Sequence, residues 1–311
     1  MDDPAGPRLA LVLHPHRDLR EVVAHLVRWA EAHGVELVVG AQDALRVDGG
    51  VLPVPADELA DGATAVVSLG GDGTLLGALR LVADTPVPVL GVQLGHLGFL
   101  AEVQPNELDT ALDRVLAGDF VVEPHSALRI ETGTQHLVAF NDLALVRHPG
   151  HGSVDATLAV NGLRHGYYRC DALVVATAAG SSAYSYAAGG PLVSPSVGGV
   201  VVTPSAPMSG ISRALVLGES DVLRLELNPR CGTLALEADG VGSGDVGPGT
   251  VLDLTVQPDA GQVIRLNPAV HHQRSRVKLS LLDLPLLPEQ LRELLPPDLR
   301  KRFDTAADDG A

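Results

Sequence analysis

Lysine is nearly absent from this chain, and acidic residues outnumber basic ones. Of its 311 residues only Lys278 and Lys301 are lysines, and 22 basic against 38 acidic residues give a net charge of −16. A general nucleic-acid-binding protein should be basic, so we expect no nucleic-acid partner. An anionic ligand would instead be held locally by arginines, by backbone N–H groups or by a metal ion.

Cysteines, aromatic residues and long hydrophobic runs are also scarce. The two cysteines, Cys170 and Cys231, form neither a CxxC pair nor a disulfide framework. No clean run of about 18 apolar residues is available to span a membrane, and the acidic start MDDPAGPR lacks the layout of a signal peptide. We therefore expect a cytoplasmic protein without a membrane partner. Because aromatics make up only 3% of the residues, the core must consist mainly of Val, Leu and Ala.

Two patterns follow each other along the chain, whose length suits two domains of about 100–200 residues each. Up to about residue 122, apolar runs alternate with amphipathic segments, the βαβ pattern that builds parallel sheets. From about residue 121 to 266, many short apolar runs separated by turn residues predict a mostly β region. The amphipathic pattern of residues 284–303, which lie between prolines, predicts a short helix. In the first part we expect strands at 8–15, 35–40, 63–70 and 87–95, and helices at 19–34, 74–84 and 106–119, the last one capped by Asn106.

The stretch SLGGDGTLLGALR places three glycines around one aspartate, directly after an apolar run. Gly70, Gly71 and Gly73 would expose backbone N–H groups at a helix N-terminus, and such groups suit phosphate oxygens. Asp72 repels phosphate, but it suits a Mg²⁺ ion or the removal of a proton from an attacking hydroxyl. The motif alone leaves two interpretations open: a turn capped by Asp72, or a phosphate site in which Asp72 acts chemically. Its spacing fits neither the P-loop nor the Rossmann dinucleotide loop.

Three further motifs lie beside predicted strands. Gly95 and Gly98 follow a strand, at the position where α/β sheets usually bind ligands. Asn141 and Asp142 place an amide next to a carboxylate. This pair suits the recognition of a base or a ribose diol, but it is also typical of a polar strand edge without a ligand. The segment RCDALVVATAAGSSAYSYAAGGP (169–191) combines small residues, hydroxyls and one aromatic, which together allow close packing on a planar ligand.

Taken together, the motifs resemble the NAD kinase family, the ATP-dependent kinases of NAD and NADH. Five blocks match in order: GGDGTLL, GVQLGHLGFL, ND, CDALVVATAAGSSAYSYAAGGP and VVVTPSAP. They span residues 70–207, and a weaker similarity continues through LEADG to the tail. GGDGT alone also occurs in lipid kinases, but LGHLGFL and SAYSYAAGGP favour the NAD kinase family.

The resemblance implies a fold that agrees with the two patterns. It is an N-terminal α/β domain with a parallel sheet (1–122), followed by an all-β, sandwich-like domain (123–274). The tail, 275–311, would return and pack against the first domain. The family also tends to form dimers or tetramers, so we expect a homo-oligomer.

The resemblance further implies a reaction, transfer of the ATP γ-phosphate to the 2′-hydroxyl of the adenosine ribose of NAD. Asp72 would be the general base, and Mg²⁺ would share the charge of the phosphates. No protein residue is assigned as a metal ligand. The phosphate motif comprises Gly70, Gly71, Asp72, Gly73 and Thr74. The positions that match NAD contacts are Asn141, Asp142, Arg169, Asp171, Ser182, Ala183, Tyr184, Ala187 and Ala206.

Several departures from the family pattern fall in the acceptor motifs. The family usually has Asn-Glu at Asn141-Asp142, and Gly-Asp-Gly where this chain has Cys170, Asp171 and Ala172. Two alternatives to an NAD kinase therefore stay open. One is a divergent kinase of the same fold with another nucleotide or nucleoside acceptor. The other is a nucleotide-binding regulator without catalysis, against which the intact GGDGT argues.

Overall fold

The computed structural model of the chain describes residues 6–95, 98, 100–269 and 271. Residues 1–266 form one compact unit, and 267–311 form a second one, of which residues 267–269 and 271 are described. The predicted helix at 284–303 and the predicted packing of the tail 275–311 lie outside the described residues. Within the described part, no helix is long and apolar enough to cross a membrane.

The first part of the chain alternates strands and helices, as the βαβ pattern predicts. Its elements are β1 Arg8–Leu13, α1 Arg20–His33, β2 Glu36–Gly40, α2 Ala41–Ala44, β3 Leu52–Val54, β4 Ala65–Gly70, α3 Asp72–Val82, β5 Val89–Gln93 and α4 Leu108–Leu116, with short 3₁₀ turns at Ala56–Glu58 and Pro105–Glu107. These five strands pair in parallel in the order β3-β2-β1-β4-β5. Strands β4 and β5 are buried along their whole length, as expected for a sheet covered on both faces.

The ends of the three predicted helices differ from the observed ones by one to three residues, and two of these differences affect how a helix begins. Helix α3 begins at Asp72, two residues before the predicted start. The prediction of Asn106 as a helix cap is wrong, because Asn106 lies inside a 3₁₀ turn. That turn is capped reciprocally by Gln104 and Glu107, so a glutamine performs the role that the short Asn side chain was expected to have.

The second part of the chain consists mainly of antiparallel strands. They are β6 Val121–Glu131, β7 His136–Ala139, β8 Asp142–Arg147, β9 Val154–Val160, β10 Leu163–Cys170, β11 Ala172–Thr177, β12 Gly199–Ser205, β13 Ser209–Gly210, β14 Leu215–Gly218, β15 Leu223–Leu227, β16 Leu234–Ala238, β17 Val241–Val246 and β18 Val251–Arg265. Two short helical turns, a 3₁₀ turn at Ala179–Ser182 and α5 at Tyr184–Ala187, follow β11.

Two sheets enclose the core of this second part. One is six-stranded, in the order β14-β12-β11-β8-β16-β17. The other contains β13, β10, β9, β15 and β18, with β6 paired to β18 and β7 paired to β6. Strand β18 extends this sheet to the parallel strands through a pairing of Val263 with Val89. Buried side chains of both sheets, such as Leu145 and Leu158, belong to one apolar cluster. The predicted class, α/β followed by a β-rich sandwich, is therefore confirmed, and the domain boundary at residue 122 stays a prediction.

We expect Gly91→Ala and Gly77→Ala to change stability in opposite directions. A methyl group at Gly91, in buried β5, would clash with Leu75 and approach the Ala101 Cα to 2.9 Å, whereas at Gly77, inside α3, the nearest atom is 3.9 Å away. Overpacking costs about 1–3 kcal/mol, and alanine is about 0.5–1 kcal/mol better than glycine within a helix. Urea denaturation measures both free energies of unfolding. Equal effects of the two substitutions would contradict the packing around β5.

Candidate active site

The turn from β4 into α3 carries the glycine motif. Gly71 precedes the helix in an extended conformation, and its carbonyl oxygen accepts bonds from the N–H groups of Thr74 (3.0 Å) and Leu75 (3.1 Å). A Cβ at Gly70 would overlap the Thr74 side chain, so this glycine serves the packing of the turn. At Gly73, by contrast, a Cβ would meet no atom within 4 Å. The outer face of the turn is therefore the part that a ligand can approach closely.

Asp72 is held by the loop that follows β5. Its Oδ1 accepts hydrogen bonds from the backbone N–H groups of Leu100 (3.0 Å) and Ala101 (3.2 Å). A Cβ at Gly98 would clash with the same carboxylate, so the second glycine motif lies directly against the first. The cap residue of α3 is Gly71, and no side chain caps the helix there. The interpretation of Asp72 as a helix cap is thus not supported, because its bonds to N–H groups run to a neighbouring loop.

The residues at the start of β8 form a second part of the site, which we call the Asn141 turn (residues 140–142). Thr177, at the end of β11, donates from its hydroxyl to the Phe140 carbonyl (2.7 Å) and from its N–H to the Asn141 carbonyl (2.9 Å). The same hydroxyl accepts the N–H of Gly180 (3.0 Å). A Cβ at Gly180 would overlap the Asn141 carbonyl oxygen, so only glycine lets the Ala179–Ser182 turn lie this close.

Several predicted residues meet at the Asn141 turn. The carboxylate of Asp142 accepts the backbone N–H of Tyr184 at the start of α5. Ser182 and Ala183 lead into this helix, and Ala187 closes it with a bond from its N–H to the Ala183 carbonyl (3.3 Å). The structure therefore brings together Asn141, Asp142, Ser182, Ala183, Tyr184 and Ala187.

Asp239 organises this region, and the motif analysis did not single it out. Its side chain is 0% exposed. It accepts bonds from the N–H groups of Phe140 (3.2 Å), Asn141 (2.6 Å) and Asp142 (3.3 Å). Its φ of 51° is one that aspartate tolerates better than most residues. The signal in the sequence is the weakly matching LEADG (236–240), whose Asp-Gly pair forms the turn between β16 and β17.

Arg80 connects the Asn141 turn to the helix that carries Asp72. Its guanidinium donates to the Asp239 carboxylate at 2.5 Å. Arg80 lies eight residues after Asp72 on α3, a distance of about 12 Å along the helix axis. One helix therefore carries the glycine motif at its start and a bond to the Asn141 turn near its end.

Three of the predicted NAD-contact residues lie away from the Asn141 turn. They are Arg169, Asp171 and Ala206, which we call the Asp171 group. The N–H of Asp171 donates to the Ser205 carbonyl (3.0 Å), the Arg169 carbonyl accepts the N–H of Met208 (2.7 Å), and Ala206 has a φ of 48°. The Asp171 carboxylate accepts from Arg147 Nε at 2.6 Å.

The pairing of β8 with β11 separates the Asp171 group from the Asn141 turn. Asp142 pairs with Ala176 at one end of β11, and Asp171 precedes the other end of that strand. Five residues of extended strand correspond to about 17 Å. Within one chain, the structure does not bring the Asp171 group to the Asn141 turn.

Known proteins resemble this chain in sequence over most of its length. Two family models match it, the ATP-NAD kinase N-terminal domain over residues 53–120 and the ATP-NAD kinase C-terminal domain over residues 140–266. The NAD kinase of Symbiobacterium thermophilum is 32% identical over 280 residues, which cover 88% of this chain and 99% of that protein. The NAD kinase of Geobacter sulfurreducens is 36% identical over 227 residues, which cover 70% of this chain and 78% of that protein. The chain belongs to the NAD kinase family.

Two solved structures share the fold of this NAD kinase family member, each at 22% identity. Yeast NADH kinase, complexed with NADH, has a TM-score of 0.76 and covers 91% of this chain and 89% of its own. An NAD kinase from Archaeoglobus fulgidus, in complex with ATP, has a TM-score of 0.68 and covers 88% of this chain and 98% of its own. The predicted resemblance and the predicted enzyme class are therefore confirmed, and the roles of individual residues stay predictions.

Asp142 has an unusual electrostatic environment. Burial raises its pKa to about 7, the negative charge of Asp239 adds to this rise, and the hydrogen bond from the Tyr184 N–H opposes it. Since the pKa in the folded protein exceeds the ordinary value of 3.8, the folded state binds the proton more tightly than the unfolded state. The resulting stabilisation is present below about pH 4 and is lost as the pH rises through 7.

We expect Asp142→Asn to make this NAD kinase more stable than the wild type at pH 8.5, with a smaller difference at pH 5.5. The neutral amide retains an acceptor for the Tyr184 N–H and cannot become a buried charge. Since one pKa unit corresponds to about 1.4 kcal/mol, the gain at high pH is on the order of 1–3 kcal/mol. Chemical denaturation of both proteins across this pH range measures it. A difference independent of pH would contradict the titration of Asp142 near neutrality.

Proposed function

We propose that this NAD kinase family member transfers the γ-phosphate of ATP to the 2′-hydroxyl of the adenosine ribose of NAD, which gives NADP and ADP. The single observation that carries the proposal is the placement of Asp72. Its carboxylate lies at the start of α3, beside the open face of Gly73, and two backbone N–H groups fix its orientation. A carboxylate fixed in this way next to a phosphate site suits a general base.

The proposed step moves one proton and one phosphoryl group. Asp72 accepts the proton of the 2′-hydroxyl as the ribose oxygen forms a bond to the γ-phosphorus. The bond between that phosphorus and the oxygen bridging to the β-phosphate breaks, and ADP leaves. Because such transition states need mainly positioning and charge stabilisation, a fixed base and a well-oriented phosphate chain supply most of what the reaction requires.

The phosphate chain would lie at the N-terminus of α3, within reach of the Gly70–Thr74 backbone. Mg²⁺ fits this arrangement as an ion carried by the nucleotide. Among the described residues, no group of three His, Cys, Asp or Glu side chains can hold a metal. Since Mg²⁺ is commonly bound by one or two carboxylates together with substrate phosphates, the triphosphate would supply most of its ligands and reduce the charge on the phosphates.

The acceptor would lie against the Asn141 turn and the residues packed on it. Asn141 offers an amide and Asp142 a carboxylate, while Tyr184 provides an aromatic ring and Ser182, Ala183 and Ala187 leave room for a planar group. These groups suit the ribose and base of a dinucleotide. Their connection to α3 through Asp239 and Arg80 supports a common site with Asp72.

In this proposal, the Asp171 group contacts the NAD that is bound to a neighbouring copy of the chain. Arg169 and Ala206 are exposed and Asp171 is half-buried, about 17 Å of strand away from the Asn141 turn. We propose a homo-oligomer, a dimer or tetramer, in which this group completes the site of a neighbouring copy. We further propose that the enzyme acts in the cytoplasm.

We expect Asp72→Asn to lower kcat by about 10²–10⁴-fold, the usual contribution of a general base. The amide oxygen still accepts the N–H groups of Leu100 and Ala101, so the fold and the KM for ATP should change little. NADP is measured with an NADP-specific dehydrogenase. The control Asp84→Asn removes the same charge beyond the end of α3, at an exposed residue whose φ of 76° asparagine also tolerates. Full activity of Asp72→Asn would refute its role as the base.

A second candidate, a kinase with another acceptor, is favoured by the short, buried carboxylate of Asp142. An acceptor screen with purified protein separates the two candidates. It compares NAD, NADH and other nucleotides, with ATP or inorganic polyphosphate as the donor. Efficient NADP formation at low NAD concentration is the result expected here. Preference for a different nucleotide would favour the second candidate, and no turnover with any acceptor would favour a regulator.

A further inference from the structure

Arg17 lies over the end of the strand that leads into the glycine motif. Strand β4 is flanked by β1 on one side and by β5 on the other, so β1 and β5 are about 10 Å apart. Arg17 follows β1, and its guanidinium donates to the carbonyl oxygen of Leu94, which follows β5. The side chain therefore crosses in front of the carboxyl end of β4.

The surrounding hydrogen bonds place Gly70 at this crossing. The N–H of Leu94 donates to the Gly70 carbonyl (2.7 Å), and the N–H of His14 donates to the Leu69 carbonyl (3.0 Å). The loops after β1 and β5 are thus both fixed to the last two residues of β4. The Arg17 guanidinium lies beside the turn on which the donor phosphates are proposed to bind.

The loop that carries Arg17 is itself held in place. Arg46 donates to the carbonyl oxygens of His14 (2.7 Å) and Arg17 (3.0 Å), and it is oriented by Asp43 (2.7 Å). A Cβ at Gly95 would lie 2.7 Å from Arg17 Nη2, so a glycine there makes room for the guanidinium. Arg17 therefore occupies a defined position.

The charge of Arg17 is available for an anion. Within the described part of the chain, no carboxylate lies within salt-bridge distance of Arg17, whereas neighbouring Arg20 is paired with Asp18. Arg17 uses one N–H for Leu94, and a guanidinium has five N–H donors in a planar fork that matches phosphate geometry. The chain as a whole carries a net charge of −16, so this cation is a local feature of the site.

We propose that Arg17 is a further binding residue of this enzyme and that its guanidinium contacts the phosphate chain of the donor. The inference rests on the proposed function, because it takes the Gly70–Thr74 turn as the donor site. It extends that proposal to a residue some 50 positions earlier in the chain. Phosphate is the chemistry recognised, so ATP and inorganic polyphosphate would both be contacted.

The test compares Arg17→Gln with Arg20→Gln, which removes the same charge three residues away from an arginine already paired with Asp18. We expect Arg17→Gln to raise the KM for ATP about tenfold or more, since a charge-assisted hydrogen bond contributes about 1.5–3 kcal/mol. The KM for NAD should stay within about twofold of the wild type. Arg20→Gln should match the wild type in both constants.

Calorimetric titration with inorganic tripolyphosphate adds a measurement that needs no turnover. Arg17→Gln should bind tripolyphosphate about tenfold more weakly, and Gly95→Ala, which displaces the guanidinium without removing it, should weaken binding in the same direction. Unchanged tripolyphosphate affinity and unchanged KM for ATP in Arg17→Gln would overturn the inference, as would equal rises in KM for ATP and NAD. If the wild type binds tripolyphosphate through Arg17 and forms no NADP, the proposed reaction fails and the binding role of Arg17 stands.

Discussion

The buried carboxylate of Asp239 is the interaction on which the arrangement of this site depends. A carboxylate taken out of water is unfavourable unless charged and polar partners surround it, and removing one partner of such a pair costs about 3–5 kcal/mol. Here the partners are Arg80 and three consecutive backbone N–H groups of residues 140–142. The same carboxylate that stabilises the Asn141 turn therefore fixes that turn to α3, the helix that begins with Asp72.

That connection also has an electrostatic consequence. The negative charge of Asp239 adds to the effect of burial on Asp142 and raises the pKa of that carboxyl to about 7. The proposed acceptor site thus contains a carboxyl whose charge is sensitive to pH in the neutral range, next to one that is neutralised by an arginine. On the proposed donor side, Asp72 accepts hydrogen bonds from two backbone N–H groups of a neighbouring loop.

Local patterns in the sequence predict the elements well and long-range contacts poorly. Apolar runs and helical periodicity predict β1, β4, β5 and the helices between them, because these signals depend on residues a few positions apart. The GGDGT motif predicts the β4–α3 turn for the same reason. The contact of Asp239 with residues about 98 positions away in sequence, and the separation of the Asp171 group from Asp142, follow from strand pairing. No spacing within a single motif contains that information.

A double-mutant cycle between Arg80 and Asp239 tests the central claim, that their bond couples α3 to the Asn141 turn. The variants are Arg80→Gln, Asp239→Asn and the combination, and the readouts are the free energy of unfolding and the KM for NAD. We expect a coupling of about 1 kcal/mol or more in both, so that the double variant is less impaired than the sum of the single ones. Effects that add to within about 0.5 kcal/mol would contradict it.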